Sequence, residues 1–440
     1  MHTNLFVFSL SICIISARAE TPRDEGDNHA AKASALSLDM VTNTVIENNP
    51  TIMEARAKWE AMRQRVPQAA AWEDLKISAG SRAGRFVSVQ PNSFGDQMLS
   101  IEQMIPISGK NKSRARIAAA EALMLAEEIR RKEFDVLSKA RVSFSKLANA
   151  YVLLDLNNAD ETSLKQTVES TRAKFETGGA SQADVLTSEN ELTKIHEARQ
   201  DLMQSLSEEE TKLCVLMNRD PFKPLGKPQG QYFDSSQVST ERLRALILSR
   251  RPEVRIAENG VTLAKAKLEL AQREWIPDPA LSVQAQRYNG AGQAVSEVGV
   301  GISVTLPWLN GKKYRAEEKE AASGVEAAQK AVEAARIEAL GMLRDQLRKI
   351  ETAHHHLELY RDNLMTTAAQ AVEANRAGFE TGKTGLLEML TSLRNLRELR
   401  SMFQQHLSAY QSAVAELEAI VGTDARNFFQ PVENTQRSKK

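Results

Sequence analysis

Two periodicities divide the chain. Between 298 and 306, Val298, Val300, Ile302, Val304 and Leu306 share one face, while Gly299, Gly301, Ser303 and Thr305 share the other. A period of two predicts a strand with one apolar side and one small or polar side. Leu281, Val283 and Ala285 alternate likewise with Ser282, Gln284 and Gln286. In a further segment Leu99, Ile101 and Ile105 oppose Ser100 and Glu102, with Gln103 interrupting the apolar row. Elsewhere the apolar spacing is mixed three and four. Ile117, Leu125, Ile129, Phe134, Leu137, Phe144, Leu147, Tyr151 and Leu154 recur this way among many charges, the pattern of a helix that packs on partner helices. No Pro lies between Gly109 and Pro221. A helix from 111 to 175 would span on the order of 95 Å at ~1.5 Å per residue.

These elements occur twice. Phe175-Glu176-Thr177-Gly178 returns as Phe379-Glu380-Thr381-Gly382, and Leu186-Thr187-Ser188 returns as Leu390-Thr391-Ser392. Ile105-Pro106 before Gly109-Lys110 is answered by Leu306-Pro307 before Gly311-Lys312, and Asn49-Pro50 by Arg251-Pro252. Ordered landmarks at one nearly constant offset are the mark of an internal duplication. Each copy predicts a helix (38–72; 240–274) and two strands (74–88 with 97–107; 280–289 with 295–306). A long helix (111–175; 312–378), a Gly-bearing turn and a second long helix (181–218; 384–421) follow. This organises the chain as a first unit over 37–219, a linker over 220–239 rich in Pro and Gly, a second unit over 240–422, and a polar tail over 423–440.

Strands of roughly ten residues match the length of a tilted membrane-spanning strand. The strands of each pair are separated by tight-reversal residues, Pro91-Asn92 with Gly95 and Asn289-Gly290-Ala291-Gly292. Four strands cannot close a barrel, which takes about eight. An open edge in lipid would strand backbone groups at several kcal/mol each. If these strands enter a membrane, several copies of the chain must share one barrel.

Composition narrows the classes. The 440 residues carry 57 basic and 57 acidic side chains, which removes the diffuse positive charge of a nucleic-acid-binding protein. Aromatics make up only 5% against 26% charged residues, a balance that favours long helices over a thick globular core. No run of 18 apolar residues occurs, which excludes membrane-spanning helices but not a β-barrel. Leu5 to Ile15, followed by Ala17-Arg18-Ala19, predicts a secretory leader over 1–19 and a mature start near Glu20. Cys13 follows Ile12 inside the apolar stretch, which argues against acylation. Removal of the leader would leave Cys214 as the sole cysteine, without a disulfide or CxxC motif.

Candidate chemistry is sparse. His354-His355-His356 lie on a helix, but consecutive positions point about 100° apart and cannot all meet one ion, so they read as surface polar residues. Met98 and Met104 read as strand packing. Lys110, Asn111, Lys112, Arg114 and Arg116, with Lys312, Lys313 and Arg315, sit just beyond the strands and either meet headgroups or are solvated. No hydrolase constellation, phosphate-cradling loop or zinc spacing appears, so no catalytic residue, metal site or cofactor is expected.

The leader, the two strand-strand-hairpin repeats and the paired Gly-bearing turns together resemble the TolC-type outer-membrane factor family. The resemblance covers about 37–421 and is most specific at 175–188, 379–392, Pro106 and Pro307. It implies a mixed α/β, mostly helical membrane protein: a homotrimer with a twelve-stranded outer-membrane barrel, four strands per chain, continued by a long periplasmic helical tunnel. It implies a passive exit duct, not an enzyme, that partners a periplasmic adaptor and an inner-membrane exporter. Carried over residue by residue, the adaptor-docking tip falls on Thr177, Gly178, Gly179, Thr381, Gly382 and Lys383, with Thr384 and Gly385 beside them. Asp184 and Glu388 are candidate acids of the aperture, although each also suits the first turn of a helix. The segments 103–114 and 307–310 look similar to the heavy-metal branch, which serves resistance-nodulation-division (RND) pumps. Drug or detergent efflux and type I protein secretion remain alternative cargo classes, and a structural periplasmic coiled coil is the alternative of another kind.

Overall fold

A computed structural model describes residues 36–81, 97–229, 239–290 and 293–422. The expected leader (1–19), the reversal Pro91-Asn92 with Gly95, Ala291-Gly292, linker positions 230–238 and the tail 423–440 lie outside them.

The element order of the first half recurs in the second. The first half runs α1 (Leu38–Asn48), α2 (Pro50–Arg63), α3 (Arg65–Ala70), β1 (Lys76–Ser81), β2 (Gln97–Met104), α4 (Lys110–Glu176) and α5 (Gln182–Leu216). The second runs α6 (Thr240–Arg250), α7 (Pro252–Arg273), β3 (Pro279–Gly290), β4 (Gln293–Val304), α8 (Gly311–Leu359), α9 (Met365–Glu380) and α10 (Leu386–Val421). A 3-10 turn (Pro307–Asn310) precedes α8, and a π-helical turn (Tyr360–Leu364) joins α8 to α9. The first copy has no such turn, since α4 is continuous over 67 residues, about 100 Å.

The single helices expected over 38–72 and 240–274 are each broken. Pro50 and Pro252 sit at the first helical position, where a missing N–H costs nothing, and each starts a new helix. The residue before each Pro also ties the break to the far end of its own hairpin. Asn49 accepts from Thr51 N at 2.9 Å and donates through Nδ2 to Leu216 O at 2.8 Å. In the other copy Arg251 Nη1 donates to Ile420 O at 2.9 Å.

Two apolar cores form at these junctions. Val41, Val45 and Ile52 pack with Val136, Phe144, Leu147 and Leu213 in the first. Leu243, Ile247 and Val254, each 202 positions later, pack with Leu343, Leu417 and Val421 in the second. Burying each such Leu, Ile or Phe is worth about 1.5–3 kcal/mol, so these clusters hold the ends of α5 and α10 against positions part-way along α4 and α8.

All four strands form one antiparallel sheet in the order β1-β2-β3-β4. The two strand pairs, nearly 200 residues apart in sequence, therefore meet at β2–β3, where Ile101 lies opposite Val283. The sheet leaves β1 and β4 as its two outer strands.

Candidate functional site: an apolar sheet face and a helical tip

The registers align side chains across all four strands. Ile77, Ile101, Val283 and Val300 form one transverse row, and Ala79, Leu99, Ala285 and Val298 the next. Gln103, Leu281 and Ile302 continue the same face. The opposite face carries Ser78, Ser100, Gln284 and Gly299, then Lys76, Glu102, Ser282 and Gly301. Among the described residues nothing covers the apolar face: Val298, Val300 and Ile302 are each more than 70% exposed and Ile77 is 65% exposed. A contiguous exposed apolar surface of this kind marks a face that another surface covers.

Tryptophans mark the edge of that face. Trp72 lies four residues before β1, Trp275 four before β3 and Trp308 four after β4. Trp275 packs against Tyr314 with the rings tilted and their centroids 5.6 Å apart, and Trp72 and Trp308 are exposed. This placement matches the aromatic girdle of a membrane barrel. The signal is present in the sequence only as three of the four Trp residues gathering at strand ends.

Beneath the sheet the two copies are bolted together. Asp278 accepts from Ser108 N at 2.8 Å and from Ser108 Oγ at 2.7 Å, and Lys110 Nζ lies 3.7 Å from Asp278 and 3.2 Å from Glu274. Arg273 donates to Ser108 O, and Arg116 pairs with Glu269. Lys110 and Arg116 are thus ion-pair partners; Lys110 is largely covered, while Arg116 stays half exposed and so also fits the solvated expectation. Gly109 completes the joint at φ 73°, where an added Cβ would stand 2.6 Å from Arg273 Nη1.

At the other end, both hairpin turns are built alike. Gly178 (φ 76°) and Gly382 (φ 75°) occupy the left-handed region, which only glycine enters freely. Gly178 N donates to Phe175 O and Gly179 N to Lys174 O, while Gly382 N donates to Phe379 O and Lys383 N to Gly378 O. This paired bonding is the Schellman motif that satisfies the last carbonyls of a helix. Thr177 and Thr381 each turn their hydroxyl back to the carbonyl four residues earlier, Ala173 and Ala377.

Past the turns the copies diverge. Ser181 and Asp184 form a capping box at the start of α5, with Asp184 Oδ2 accepting from Ser181 N at 2.9 Å and Ser181 Oγ at 2.7 Å. These bonds, the backbone one foremost, hold the Asp184 carboxyl below its ordinary range. The equivalent cap of α10 is Gly385, which has no side-chain bond to offer, and Glu388 is exposed. The two acids expected as a matched pair therefore have different surroundings, and Asp184 is committed to its helix.

The two tips are joined to each other. Leu164 and Ile195 of the first hairpin pack with Phe379, Leu386, Met389 and Leu390 of the second. Lys174 Nζ donates to Phe379 O and sits 3.8 Å over the Phe379 ring. Arg394 forks onto Glu191, Nε to Oε2 at 2.9 Å and Nη2 to Oε1 at 2.6 Å, with Lys194 adding 2.9 Å to Oε1. Burial pushes the Glu191 carboxyl up, but the bonds from Arg394 and Lys194 outweigh it and leave it below its ordinary range. Higher up, Arg400 reaches Asp160 at 3.6 Å, while burial keeps Asp160 above the usual carboxylate range despite Arg400 and Arg397. No local pattern links residues some 200 apart, so sequence reading missed these ties.

The profile of the outer membrane efflux protein family matches residues 41–219 and again 243–423. The chain belongs to that family. This places it in the outer membrane, with its helical part in the periplasm. Among curated relatives it is similar to the toluene efflux pump outer membrane protein TtgF of Pseudomonas putida, 23% identical over 267 residues. That alignment covers 60% of this chain and 52% of the relative, so the match spans about half the length of TtgF. Solved structures share the fold across 88% of this chain. They include a membrane protein from Pseudomonas aeruginosa (TM-score 0.75, 17% identity, 90% of that chain) and VceC from Vibrio cholerae (0.72, 16%, 96%). CusC, described for its transmembrane channel formation, matches at TM-score 0.74 with 15% identity and 92% of its chain covered.

Proposed function

We propose that this chain is the passive outer-membrane exit duct of a tripartite efflux system and works as a homotrimer. One observation carries the reading: a four-stranded sheet has one exposed apolar face, one polar face and two outer strands with no neighbour among the described residues. Lipid covers the apolar face. In hydrocarbon the free edges would cost several kcal/mol per unpaired backbone group, so β4 of one copy pairs with β1 of the next. Three copies close a twelve-stranded barrel with its polar face inward, and the hairpins extend it as a periplasmic tunnel. A purely structural periplasmic coiled coil would have no use for such a sheet.

The tip at Thr177, Gly178, Gly179, Thr381, Gly382 and Lys383 docks the periplasmic adaptor. Energy enters at an inner-membrane RND exporter, so the duct needs no cofactor or catalytic group. Opening is geometric. Loosening of the Arg394–Glu191, Lys174–Phe379 and Arg400–Asp160 ties lets one hairpin swing away from the other. Glu388 is the better of the two aperture candidates, because Asp184 is held by Ser181.

Heavy-metal ions are the proposed cargo, on the likeness of 103–114 and 307–310 to the metal branch. Organic efflux is the second reading, favoured by the name of TtgF. The test is accumulation and growth in a clean deletion strain on metals (copper, silver, zinc, cobalt, nickel) and on dyes, detergents and toluene. Selective metal accumulation reversed by the wild-type gene supports the first cargo, and broad organic sensitivity the second. No phenotype on either panel counts against both and favours protein secretion.

A further inference from the structure

The middle of the second hairpin carries a half-buried cluster that the duct reading does not use. His356 on α8 faces His406 on α10 with their Nδ1 atoms 3.4 Å apart and the rings edge to face at 4.6 Å. Tyr360, at the start of the π-helical turn, lies 5.1 Å from the His406 ring, and its hydroxyl donates to Met402 Sδ at 3.2 Å. Met402 and His406 are one turn apart on α10, so both are within reach of Tyr360. The other two histidines of the run point elsewhere: His355 is exposed, and His354 lies 3.6 Å from Glu358. Position for position, 204 residues earlier, the first copy has Leu202 and Ala198 where the second has His406 and Met402. Ordinary helix packing therefore does not require these groups here, and the π-helical turn beside them is also confined to the second copy. Such turns are frequent at functional sites.

We propose that His356, His406 and Met402 form a binding site for a soft monovalent cation, Cu(I) or Ag(I). Two imidazole nitrogens each about 2.0–2.1 Å from a tetrahedral ion stand about 3.3–3.4 Å apart, the separation already present here. The cation takes the position of the proton that the two Nδ1 atoms share. The thioether sets the class: sulfur with imidazole selects Cu(I) and its congener Ag(I) over hard divalent ions. Among the described residues no three His, Cys, Asp or Glu side chains converge to hold a metal, so a site for a harder ion has no third ligand of those types. Bound there, the ion would staple α8 to α10 beside the π-helical turn.

The site does not depend on the cargo, and binding is read on the purified protein without transport. The full chain carrying Cys13→Ala and Cys214→Ala, which removes both thiols as rival ligands, is dialysed against silver nitrate in chloride-free buffer. In parallel it is titrated anaerobically with Cu(I) against a competing chelator. Expected are one ion per chain, a rise in Tm with Ag(I), and loss of both in His356→Gln/His406→Gln. Met402→Leu, a volume-conserving change, should weaken binding by about tenfold or more and keeps the test valid if the double variant misfolds. His355→Gln should bind as the parent does. Absence of binding in the parent overturns the proposal. So does undiminished binding in the double variant, or Zn(II) bound as tightly as Ag(I) and indifferent to Met402→Leu.

Discussion

Val300→Arg separates a lipid-facing sheet from a solvated one at a single position. Val300 is 72% exposed and ends the row Ile77–Ile101–Val283–Val300. If that face met water, the change would be a surface substitution worth at most ~0.5 kcal/mol. If it meets hydrocarbon near the midplane, an arginine costs about 2–4 kcal/mol per chain. Three chains in one barrel make that about 6–12 kcal/mol, enough to block assembly. The control is next door. Gly299 lies on the polar face, and a Cβ built there finds no heavy atom within 4 Å, so Gly299→Arg has room on that face. The assay is protein recovered in the outer-membrane fraction, together with the denaturant midpoint of what is recovered. Val300→Arg should be depleted and Gly299→Arg should match wild type. Equal recovery of the two variants, at equal synthesis, would refute the assignment of faces.

Gly178→Ala and Gly382→Ala should each lose about 1–2 kcal/mol in chemical unfolding, the cost of a side chain in the left-handed region. Gly179→Ala, at an ordinary φ, should be near neutral, and a Gly178→Val/Gly382→Val pair should abolish efflux while leaving barrel insertion intact. Arg394→Ala strips the two charge-assisted bonds from Glu191, whose side chain is 5% exposed. The loss should be about 1.5–3 kcal/mol, at the lower end because Arg394 is itself 42% exposed, read as a widened inter-hairpin distance between spin labels. Because the folded pKa of Glu191 lies below its unfolded value, its contribution is present above about pH 4.3 and fades as pH falls through the lowered value. The same spin-label distance should widen in acid for wild type and change less for Arg394→Ala. Cys214 is 1% exposed with its thiol pKa raised by burial, so alkylation should follow global unfolding. Rapid labelling of the native protein would contradict that core.

What could be read from the chain follows from range. The alternation at Val298–Leu306 and the Gly178 and Gly382 turns are local signals, and the duplication repeats them, so the strands, long hairpins and order of elements were legible. The breaks at Asn49-Pro50 and Arg251-Pro252 were visible as dipeptides but were overridden by helical patterning that runs on both sides. The π-helical turn at Tyr360 has no Gly or Pro to announce it. Ser181-x-x-Asp184 is a short-range capping signature. The absence of its counterpart at Gly385 is what separates Asp184 from Glu388. The ties Arg394–Glu191 and Ser108–Asp278, like the meeting of His356 with His406, depend on how the hairpins cross, which one chain read linearly does not encode.

The central claim is that separate copies complete one barrel through the outer strands, and disulfide trapping tests it most directly. Within a chain β1 and β4 are three strand spacings apart, about 14 Å, too far for a disulfide, which needs Cα atoms within about 7 Å. In a Cys214→Ala background, Ser78→Cys on β1 is combined in turn with cysteine at Gly299, Gly301 or Ser303 on β4, all on the polar face. Oxidation in outer membranes should give, for at least one pair, a covalent ladder on a non-reducing gel that stops at three chains. Only monomer from every pair, with the protein folded in the outer membrane, would contradict the shared barrel, and a ladder running past three would contradict the trimer.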